Sequence, residues 1–137
     1  MVAQSSDLLG GVAARAVDGN TNGAWNAGSV THTNNDAQAW WQVDLGEVGQ
    51  LDTVKVWNRT DCCSNRLSNF YVFVSDVPFD STAMNTTLIQ PGVSAYFVSV
   101  TAGSPTTVAV NRTGRYVRVQ LSGTNYLSLA EVQVMGQ

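Results

Sequence analysis

The sequence has little positive charge. It contains seven Lys and Arg among 137 residues, and Lys55 is the only lysine. The net charge is -3 and the sequence pI is about 4.7. Proteins that bind nucleic acids in general carry clustered basic residues on one face. We therefore expect no nucleic-acid partner, and we expect the few arginines to act locally.

Long hydrophobic runs are also missing. A helix that spans a bilayer needs about 20 consecutive apolar residues, which no segment provides. The opening residues MVAQSS lack the basic and apolar regions of a signal peptide. Apolar residues make up 44% of the chain, which is enough for one domain with its own core. We expect a single domain over residues 1–137 and no direct insertion into a membrane, with any export signal removed or outside the sequence.

Cysteine and histidine are rare. The only cysteines, Cys62 and Cys63, lie in RTDCCSNR between Arg59 and Arg66, and His32 is the only histidine. A bond between adjacent cysteines would close a small ring and fix the loop, although bonded pairs usually have Cα atoms about 4.4–6.8 Å apart. Two reduced thiols are the alternative. Zinc binding with His32 is disfavoured because adjacent cysteines lack the C-x-x-C spacing.

The segment 5–36 is rich in Ser, Gly, Asn, Asp and Thr, as loops are. A short helical turn is predicted over residues 12–17. Several oxygen-bearing side chains follow it, namely Asp18, Asn20, Asn22 and Ser29. Hard cations such as calcium prefer oxygen ligands, but the same residue types also form ordinary turns. From this segment alone both interpretations stay open.

Short β-strands are predicted over residues 39–45, 51–57, 69–75, 95–101, 106–110 and 115–121. A final strand, 127–134, changes apolar parity near residues 130–131, which indicates a bulge. The connection 76–94 is predicted to be irregular. Short strands with Gly, Pro, Asn and Ser turns and no long helix predict an all-β fold, an antiparallel β-sandwich or barrel. Jelly rolls in this class commonly carry binding sites on the loops at one end.

The cysteine loop and His32 could form a site for a small ligand. Arginine and imidazole N–H groups suit hydroxyl and ring oxygens, and Asp61 could hold an arginine in place. A disulfide and nearby aromatic rings would add an apolar wall. The expected ligand is neutral to weakly anionic with one polar and one apolar face, and a deoxysugar fits this description.

The spacing of these residues resembles that of the F-type lectins, or fucolectins, in the discoidin-like F5/8 type C superfamily. In that family a histidine is followed, after 26 residues, by Arg-x-Asp-Cys-Cys-x-x-Arg. This chain has His32, 26 intervening residues and then RTDCCSNR. The blocks AVDGNTNGAW, WWQVDLG, GRYVRVQL and LSLAEVQV are similar as well. The resemblance extends from about residue 13 to residue 134.

The resemblance implies a β-jelly-roll that binds L-fucose and fucosylated glycans at one end, without catalysis. His32, Arg59 and Arg66 would donate hydrogen bonds to the ring oxygen and the hydroxyl groups of fucose. Asp61, which belongs to the same motif, would form part of this site.

The resemblance also implies an apolar side to the site. A disulfide between Cys62 and Cys63 would pack against one edge of the sugar ring. Trp25 and Leu9 would line a pocket for the C6 methyl group, which distinguishes fucose from galactose.

A structural calcium ion is a further implication of the resemblance. Its ligands would be the side chains of Asp18, Asn20, Ser29 and Glu131 and the main-chain carbonyls of Arg15 and Ala130. Glu131 supplies the distant carboxylate that the loop itself lacks. The ion would tie the loop 15–29 to the last strand and hold His32 and Trp25 indirectly.

The sequence departs from the family in two respects. The further disulfide of many animal members is missing, and together with the acidic composition this predicts a secreted, extracellular protein of bacterial origin. The chain also begins within the first conserved block, so we expect a module of a longer protein or a shortened chain without the usual first strand. An unpaired sheet edge would favour association, and a homo-oligomer is compatible with this.

Two other functions remain open. A glycosidase needs two carboxylates flanking one pocket, about 5 to 9.5 Å apart, and only Asp61 lies in the motif. A discoidin-like adhesion or membrane-binding module would expose apolar loop tips in place of a polar donor cluster.

Overall fold

The computed structural model describes residues 1–136, and most of its regular structure is β-strand. The strands are β1 Val2–Gln4, β2 Asp36–Ala37, β3 Trp40–Asn58, β4 Phe70–Ser75, β5 Val93–Val98, β6 Thr106–Leu121, β7 Thr124–Asn125 and β8 Leu129–Gly136. The helical elements are α1 Met84–Ile89 and three 3-10 helices, Ala13–Val17, Trp25–Ala27 and Ser64–Arg66. No helix within residues 1–136 has the length and apolarity that a membrane crossing requires.

The two long strands, β3 and β6, pair with each other along both of their halves. All pairings are antiparallel, the strand order is β1-β3-β6-β4-β5, and β8 pairs with the second half of β3. The ladder is interrupted between Asp44 and Gly49, where the ribbon bends. Apolar residues of both halves share one buried cluster, and the predicted antiparallel β-sandwich is confirmed.

The predicted strand boundaries differ from the observed ones in several places, and the largest difference concerns β3 and β6. Residues 39–45 and 51–57 were expected to form separate strands, as were 106–110 and 115–121, but each pair belongs to one continuous strand. In the sequence, the glycines between these segments indicate a turn. Here, register shifts let the ribbon bend while its pairing continues on both sides of the bend.

Alternating apolar residues of both layers form the core. Buried side chains on β3, β4 and β6 share one cluster with residues of β8, namely Trp41, Val43, Val54, Val56, Phe70, Val72, Val74, Val117, Val119, Leu129 and Val132. The indole N–H of Trp41 donates to the carbonyl of Ala13 at 2.9 Å. This bond fixes the 3-10 helix Ala13–Val17, which was predicted as a helical turn, against the sheet.

The bulge predicted near residues 130–131 is confirmed. Trp57 pairs with Glu131 and Asn58 pairs with Leu129, so Ala130 is the extra residue of β8. The bulge lies at the start of β8. At this end of the sandwich, loops connect the two layers. Main-chain hydrogen bonds join these connections to one another, from Asn58 to Gly103 and from Ala102 to Leu67.

The connection 76–94 is not wholly irregular, because it contains α1. Arg118 holds it to the sheet: its guanidinium donates to Gln42 Oε1 at 2.9 Å, to the Ser81 carbonyl at 2.8 Å and to Thr87 Oγ1 at 3.1 Å. It also lies 4.3 Å from the ring centre of Phe79. The residue is 1% exposed, and burial lowers its pKa to about 10.

We predict that Arg118→Ala strongly destabilises the domain. The substitution leaves buried acceptors without a donor, and we expect a loss of about 3 kcal/mol in the free energy of unfolding. Arg115→Ala is the matched control, because Arg115 is a partly exposed arginine of the same strand paired with Asp44. Its loss should be much smaller, since surface ion pairs contribute little. Urea denaturation measures the free energy of unfolding. Equal losses of this free energy in the two variants would contradict the role given to Arg118.

Candidate functional site

The cysteine loop is closed by a disulfide between Cys62 and Cys63, whose Cα atoms are 3.8 Å apart. The disulfide expectation is confirmed, and the structure contains no free cysteine among residues 1–136. Cys63 has a φ of 62°, and the 3-10 helix Ser64–Arg66 follows it directly. The loop therefore turns sharply at the disulfide before it reaches Arg66.

Asn58 holds this loop in place through hydrogen bonds of its side chain. Its side-chain amide donates to the carbonyls of Ser64 and Ala102, both at 2.9 Å, and its Oδ1 accepts the N–H of Arg59 at 2.8 Å. The residue is buried. Its hydrogen bonds fix the main chain on both sides of the disulfide, a role that the sequence analysis did not foresee.

Asp61 joins the cysteine loop to the loop that carries Trp25. Asp61 Oδ1 lies 2.7 Å from Arg59 Nε, and Oδ2 accepts the Trp25 N–H at 3.1 Å. The Arg59 guanidinium lies 5.5 Å from the centre of the Trp25 ring. The hydrogen bond from Arg59 lowers the pKa of Asp61, and the Trp25 N–H lowers it further. Asp61 is therefore ionised near neutral pH and holds both residues in place.

Gly23 allows these two loops to approach. Thr60 N–H donates to the Gly23 carbonyl at 2.9 Å. A Cβ atom at position 23 would lie 2.7 Å from the Thr60 side chain and 2.8 Å from the Asn58 carbonyl. A larger residue would force the loops apart.

His32 lies beside Trp25, and the residue is 5% exposed. The ring centres of His32 and Trp25 are 5.5 Å apart at an interplanar angle of 80°. Gly11 lies against the main chain of His32, because the His32 N–H donates to the Gly11 carbonyl at 2.8 Å. The loop 8–11 thus forms one wall of the site.

The tautomer of His32 follows from its neighbours. Nδ1 lies 2.7 Å from the Thr33 carbonyl oxygen, which can only accept, so Nδ1 carries a proton. Burial lowers the pKa of His32 below 6.5, the Thr33 hydrogen bond opposes this, and the charges of Arg59 and Arg66 lower it further. The imidazole is therefore neutral near pH 7, and its unprotonated Nε2 can accept a hydrogen bond from a ligand. This differs from the expectation that His32 donates.

Tyr126 completes the cluster and was missed by the sequence analysis. Its ring lies 5.3 Å from that of His32, and the Arg66 guanidinium lies 4.7 Å above it. Tyr126 precedes β8 in the polar segment SGTNYLS, and a lone aromatic residue in such a segment is the signal that could have identified it. Arg66 is thus oriented by an aromatic ring, in the way that Trp25 orients Arg59.

The structure brings most of the predicted ligand-binding residues together. His32, Trp25, Arg59 and Asp61 are linked by direct contacts, and Arg66 joins them through Tyr126. Leu9 lies in the loop 8–11, and the residue is 71% exposed. Its place beside a methyl group stays a prediction.

The residues expected to hold calcium also share a region. Glu131 Oε2 accepts the N–H of Gly19 at 2.9 Å, which joins β8 to the turn of Asp18 and Asn20. The buried Ser29 hydroxyl donates to the carbonyl of Asn22. Arg15 and Ala130, whose carbonyls complete the expected set, lie in the 3-10 helix Ala13–Val17 and at the β8 bulge.

This region has the charge that a cation would balance. Glu131 is buried, and its Oε1 has no hydrogen-bond partner within residues 1–136. Burial raises its pKa to about 7, and the nearby Asp18 carboxylate contributes in the same direction. Two carboxylates with amide, hydroxyl and carbonyl oxygens form a donor set of the kind that calcium prefers. The residues therefore fit the ion.

Among residues 1–136, the cluster around His32 offers hydrogen-bonding groups to a ligand but contains no acid–base pair. Asp61 has both oxygens engaged by Arg59 and Trp25, so it is not available as a proton donor. The arginines present rigid donors beside aromatic rings, and the disulfide adds an apolar surface. Such an arrangement suits a small polar ligand with an apolar edge.

The family comparison defines the class of this domain. The family model described as a NedA-like, galactose-binding domain of the F5/F8 type C group matches residues 15–119. The protein is therefore a discoidin-like β-sandwich domain of that group.

Curated relatives narrow the family. The chain is 32% identical to a fucolectin of Anguilla anguilla over 136 residues, covering 96% of this chain and 84% of the relative. It is 36% identical to Fucolectin-5 of Anguilla japonica over 121 residues, covering 87% of this chain and 61% of the relative. The chain belongs to the fucolectin, or F-type lectin, family, and it spans about three-fifths of Fucolectin-5.

Solved structures agree with this assignment. A fucose binding module of Streptococcus pneumoniae is 37% identical with a TM-score of 0.85, covering 100% of this chain and 91% of that one. The lectin domain of lectinolysin, solved with Lewis B antigen, is 38% identical with a TM-score of 0.82. The match covers 100% of this chain and 92% of the lectinolysin domain. These relatives are lectins and binding modules, so the expectation of a noncatalytic domain is confirmed.

Proposed function

We propose that this domain binds L-fucose and terminal fucosylated glycans without catalysis. The observation that carries the proposal is the grouping of His32, Arg59 and Arg66 at one end of the sandwich, each against an aromatic ring. Relatives whose names include fucose binding share the fold at more than 30% identity, which supports the same ligand.

Each polar side chain takes a distinct role in this proposal. Arg59 and Arg66 donate hydrogen bonds to hydroxyl oxygens and to the ring oxygen of fucose. Neutral His32 accepts a hydrogen bond from a fucose hydroxyl through Nε2, since Nδ1 donates to Thr33. Asp61 binds no sugar atom in this arrangement but holds Arg59 and Trp25 in place.

The apolar side of the site selects a deoxysugar. The Cys62–Cys63 disulfide packs against one edge of the ring, and Trp25 and Leu9 line a pocket for the C6 methyl group. Burial of one methyl group contributes about 0.8 kcal/mol. Selection of fucose over galactose therefore also needs the fixed positions of the hydrogen-bonding groups.

Calcium has a structural role in this proposal. Asp18, Asn20, Ser29, Glu131 and the carbonyls of Arg15 and Ala130 hold the ion, which balances the buried charge of Glu131. The 3-10 helix Ala13–Val17 and β8 are thereby joined more tightly than by the Gly19 hydrogen bond alone. The ion would act indirectly, by fixing the loop that carries Trp25.

We also propose that the protein acts outside the cell, where fucosylated glycoconjugates are its partners. A disulfide persists in oxidising compartments, which agrees with this location. Association into a homo-oligomer would raise the apparent affinity for surfaces that display several glycans.

We predict that Arg59→Ala and Arg66→Ala each weaken fucose binding strongly while the fold survives. Hydrogen bonds to charged groups contribute about 1.5–3 kcal/mol, which corresponds to a loss of affinity of about 10- to 100-fold. Isothermal titration calorimetry measures the effect. Arg115→Ala, at the opposite end near the strand bend, should bind fucose normally. Retained affinity in both site variants would place the sugar elsewhere.

We predict that fucose binding weakens as the pH falls. The pKa of His32 lies below 6.5, so the neutral acceptor form dominates near pH 7 and above. Protonation turns Nε2 into a donor and adds a cation beside two arginines. Affinity measured in excess calcium should be constant between about pH 8 and about pH 7 and should fall towards about pH 5. An affinity that stays constant or rises in acid would show that His32 does not act as an acceptor.

We predict that calcium raises the melting temperature and that Glu131→Gln removes most of this increase. A ligand present at about 100 times its Kd stabilises the folded state by about 2.7 kcal/mol. Glu47→Gln is the control, because Glu47 is an exposed carboxylate at the bend of β3. Differential scanning fluorimetry with calcium and after chelation gives the comparison. The same shift in all three proteins would place the ion away from Glu131.

A further inference from the structure

A second groove adjoins the site at Arg66. It has a volume of about 310 Å³, and its lining includes Arg66, Asn69, Phe97, Ser122, Thr124 and Asn125. Asn125 directly precedes Tyr126, whose ring contacts both His32 and Arg66. The groove therefore borders the proposed fucose site and shares one arginine with it.

The walls of the groove are fixed in place. The Asn69 carbonyl accepts the main-chain N–H of Ser122 at 3.0 Å and the Ser122 hydroxyl at 2.6 Å, which joins the two walls at their base. The carbonyl of Gly123 accepts the N–H of Gln38 at 2.8 Å. A groove that is already formed lets a ligand bind at little ordering cost.

The exposed groups of the groove are those that a neutral sugar ring uses. Phe97 is 51% exposed and lies 4.9 Å from the Tyr71 ring, so an aromatic surface faces the groove from β5. Within residues 1–136, no hydrogen bond engages the Asn69 side-chain amide, the Thr124 hydroxyl or the Arg66 guanidinium. Sugars combine hydroxyl groups with apolar C–H faces, and this groove offers partners for both.

Another groove, beside Arg59, has a similar volume but is less suitable as a sugar-binding site. It is about 300 Å³ in volume, but its lining contains no aromatic ring. The side chains of Asn58 and Ser104 within it are already engaged in hydrogen bonds to main-chain carbonyls. Few groups remain there to recognise a sugar.

We propose that the groove along Asn69, Phe97 and Thr124 is a subsite for a second, neutral sugar ring of the same fucosylated oligosaccharide. This inference rests on the proposed function, because the groove shares Arg66 with the proposed fucose site. Arg66 donates to both sugars, Phe97 stacks on the apolar face of the second ring, and Asn69 and Thr124 bind its hydroxyl groups. The preferred ligand is then a fucosylated oligosaccharide and not free fucose.

The test compares ligands and variants by isothermal titration calorimetry. The ligands are L-fucose, fucosyl-lactose and the Lewis B antigen, and the variants are Phe97→Ala and Asn69→Gly. Glycine suits position 69 because Asn69 has a φ of 50°. The matched controls are Val100→Ala, at a 66% exposed apolar residue, and Asn111→Gly, at another asparagine with positive φ. Thermal melting confirms that each variant is folded.

We expect the unchanged chain to bind one or both oligosaccharides about tenfold more tightly than L-fucose. Phe97→Ala and Asn69→Gly should remove this advantage and leave the affinity for L-fucose unchanged. Both control variants should keep the advantage. Equal affinity for fucose and both oligosaccharides would overturn the subsite and leave fucose binding intact. An advantage that survives in both groove variants would also overturn it. Failure to bind any of the three ligands would overturn the subsite and the proposed function together.

Discussion

The carboxylate of Asp61 connects the two loops on which the site depends. It accepts hydrogen bonds from the Arg59 side chain and from the Trp25 main chain, so the cysteine loop and the Trp25 loop are positioned by one group. Trp25 in turn lies against the guanidinium of Arg59 and the ring of His32. Because these side chains are ordered before a ligand arrives, little conformational entropy is lost on binding. A loop without this carboxylate would leave Arg59 and Trp25 free to adopt other positions.

The fold supplies the frame for this contact. The bent ribbon of β3 and β6 brings the connections between the layers to one end of the sandwich, where Asn58 fixes the start of the cysteine loop. Glu131 follows the bulge at Ala130, and the hydrogen bond that it accepts from the Gly19 N–H joins β8 to the turn after the 3-10 helix Ala13–Val17. The cation site proposed here lies behind the loop that carries Trp25. The binding loops are therefore supported by the core on one side and by this polar region on the other.

Much of the fold could be predicted from the sequence because its signals are local. Alternating apolar residues predicted the strands, and the change of parity in the last strand predicted the bulge at Ala130. Continuity of β3 could not be predicted, because glycines around a bend look the same as glycines in a turn and only pairing with β6 distinguishes them. The helix α1 was missed because its six residues, MNTTLI, are too few to show a helical period.

The site was predictable to a similar degree. The spacing of His32 and RTDCCSNR identified the cluster through a family resemblance, and Asp61 was expected to hold an arginine. Tyr126 was missed because a single aromatic residue in a loop is equally compatible with the core. The acceptor role of His32 depends on the direction of the Thr33 carbonyl, which is a property of the folded main chain and has no pattern in the sequence.

We propose that fixed hydrogen-bonding groups and an apolar pocket together select fucose. The most direct measurement is a calorimetric titration of the non-reduced chain with L-fucose and with D-galactose in the presence of calcium. D-galactose has a hydroxymethyl group at the position of the fucose methyl, so it tests the pocket and the polar groups at once. Saturable binding of L-fucose with much weaker binding of D-galactose is the predicted result. Equal binding of both sugars, or of neither, would contradict this account of the site.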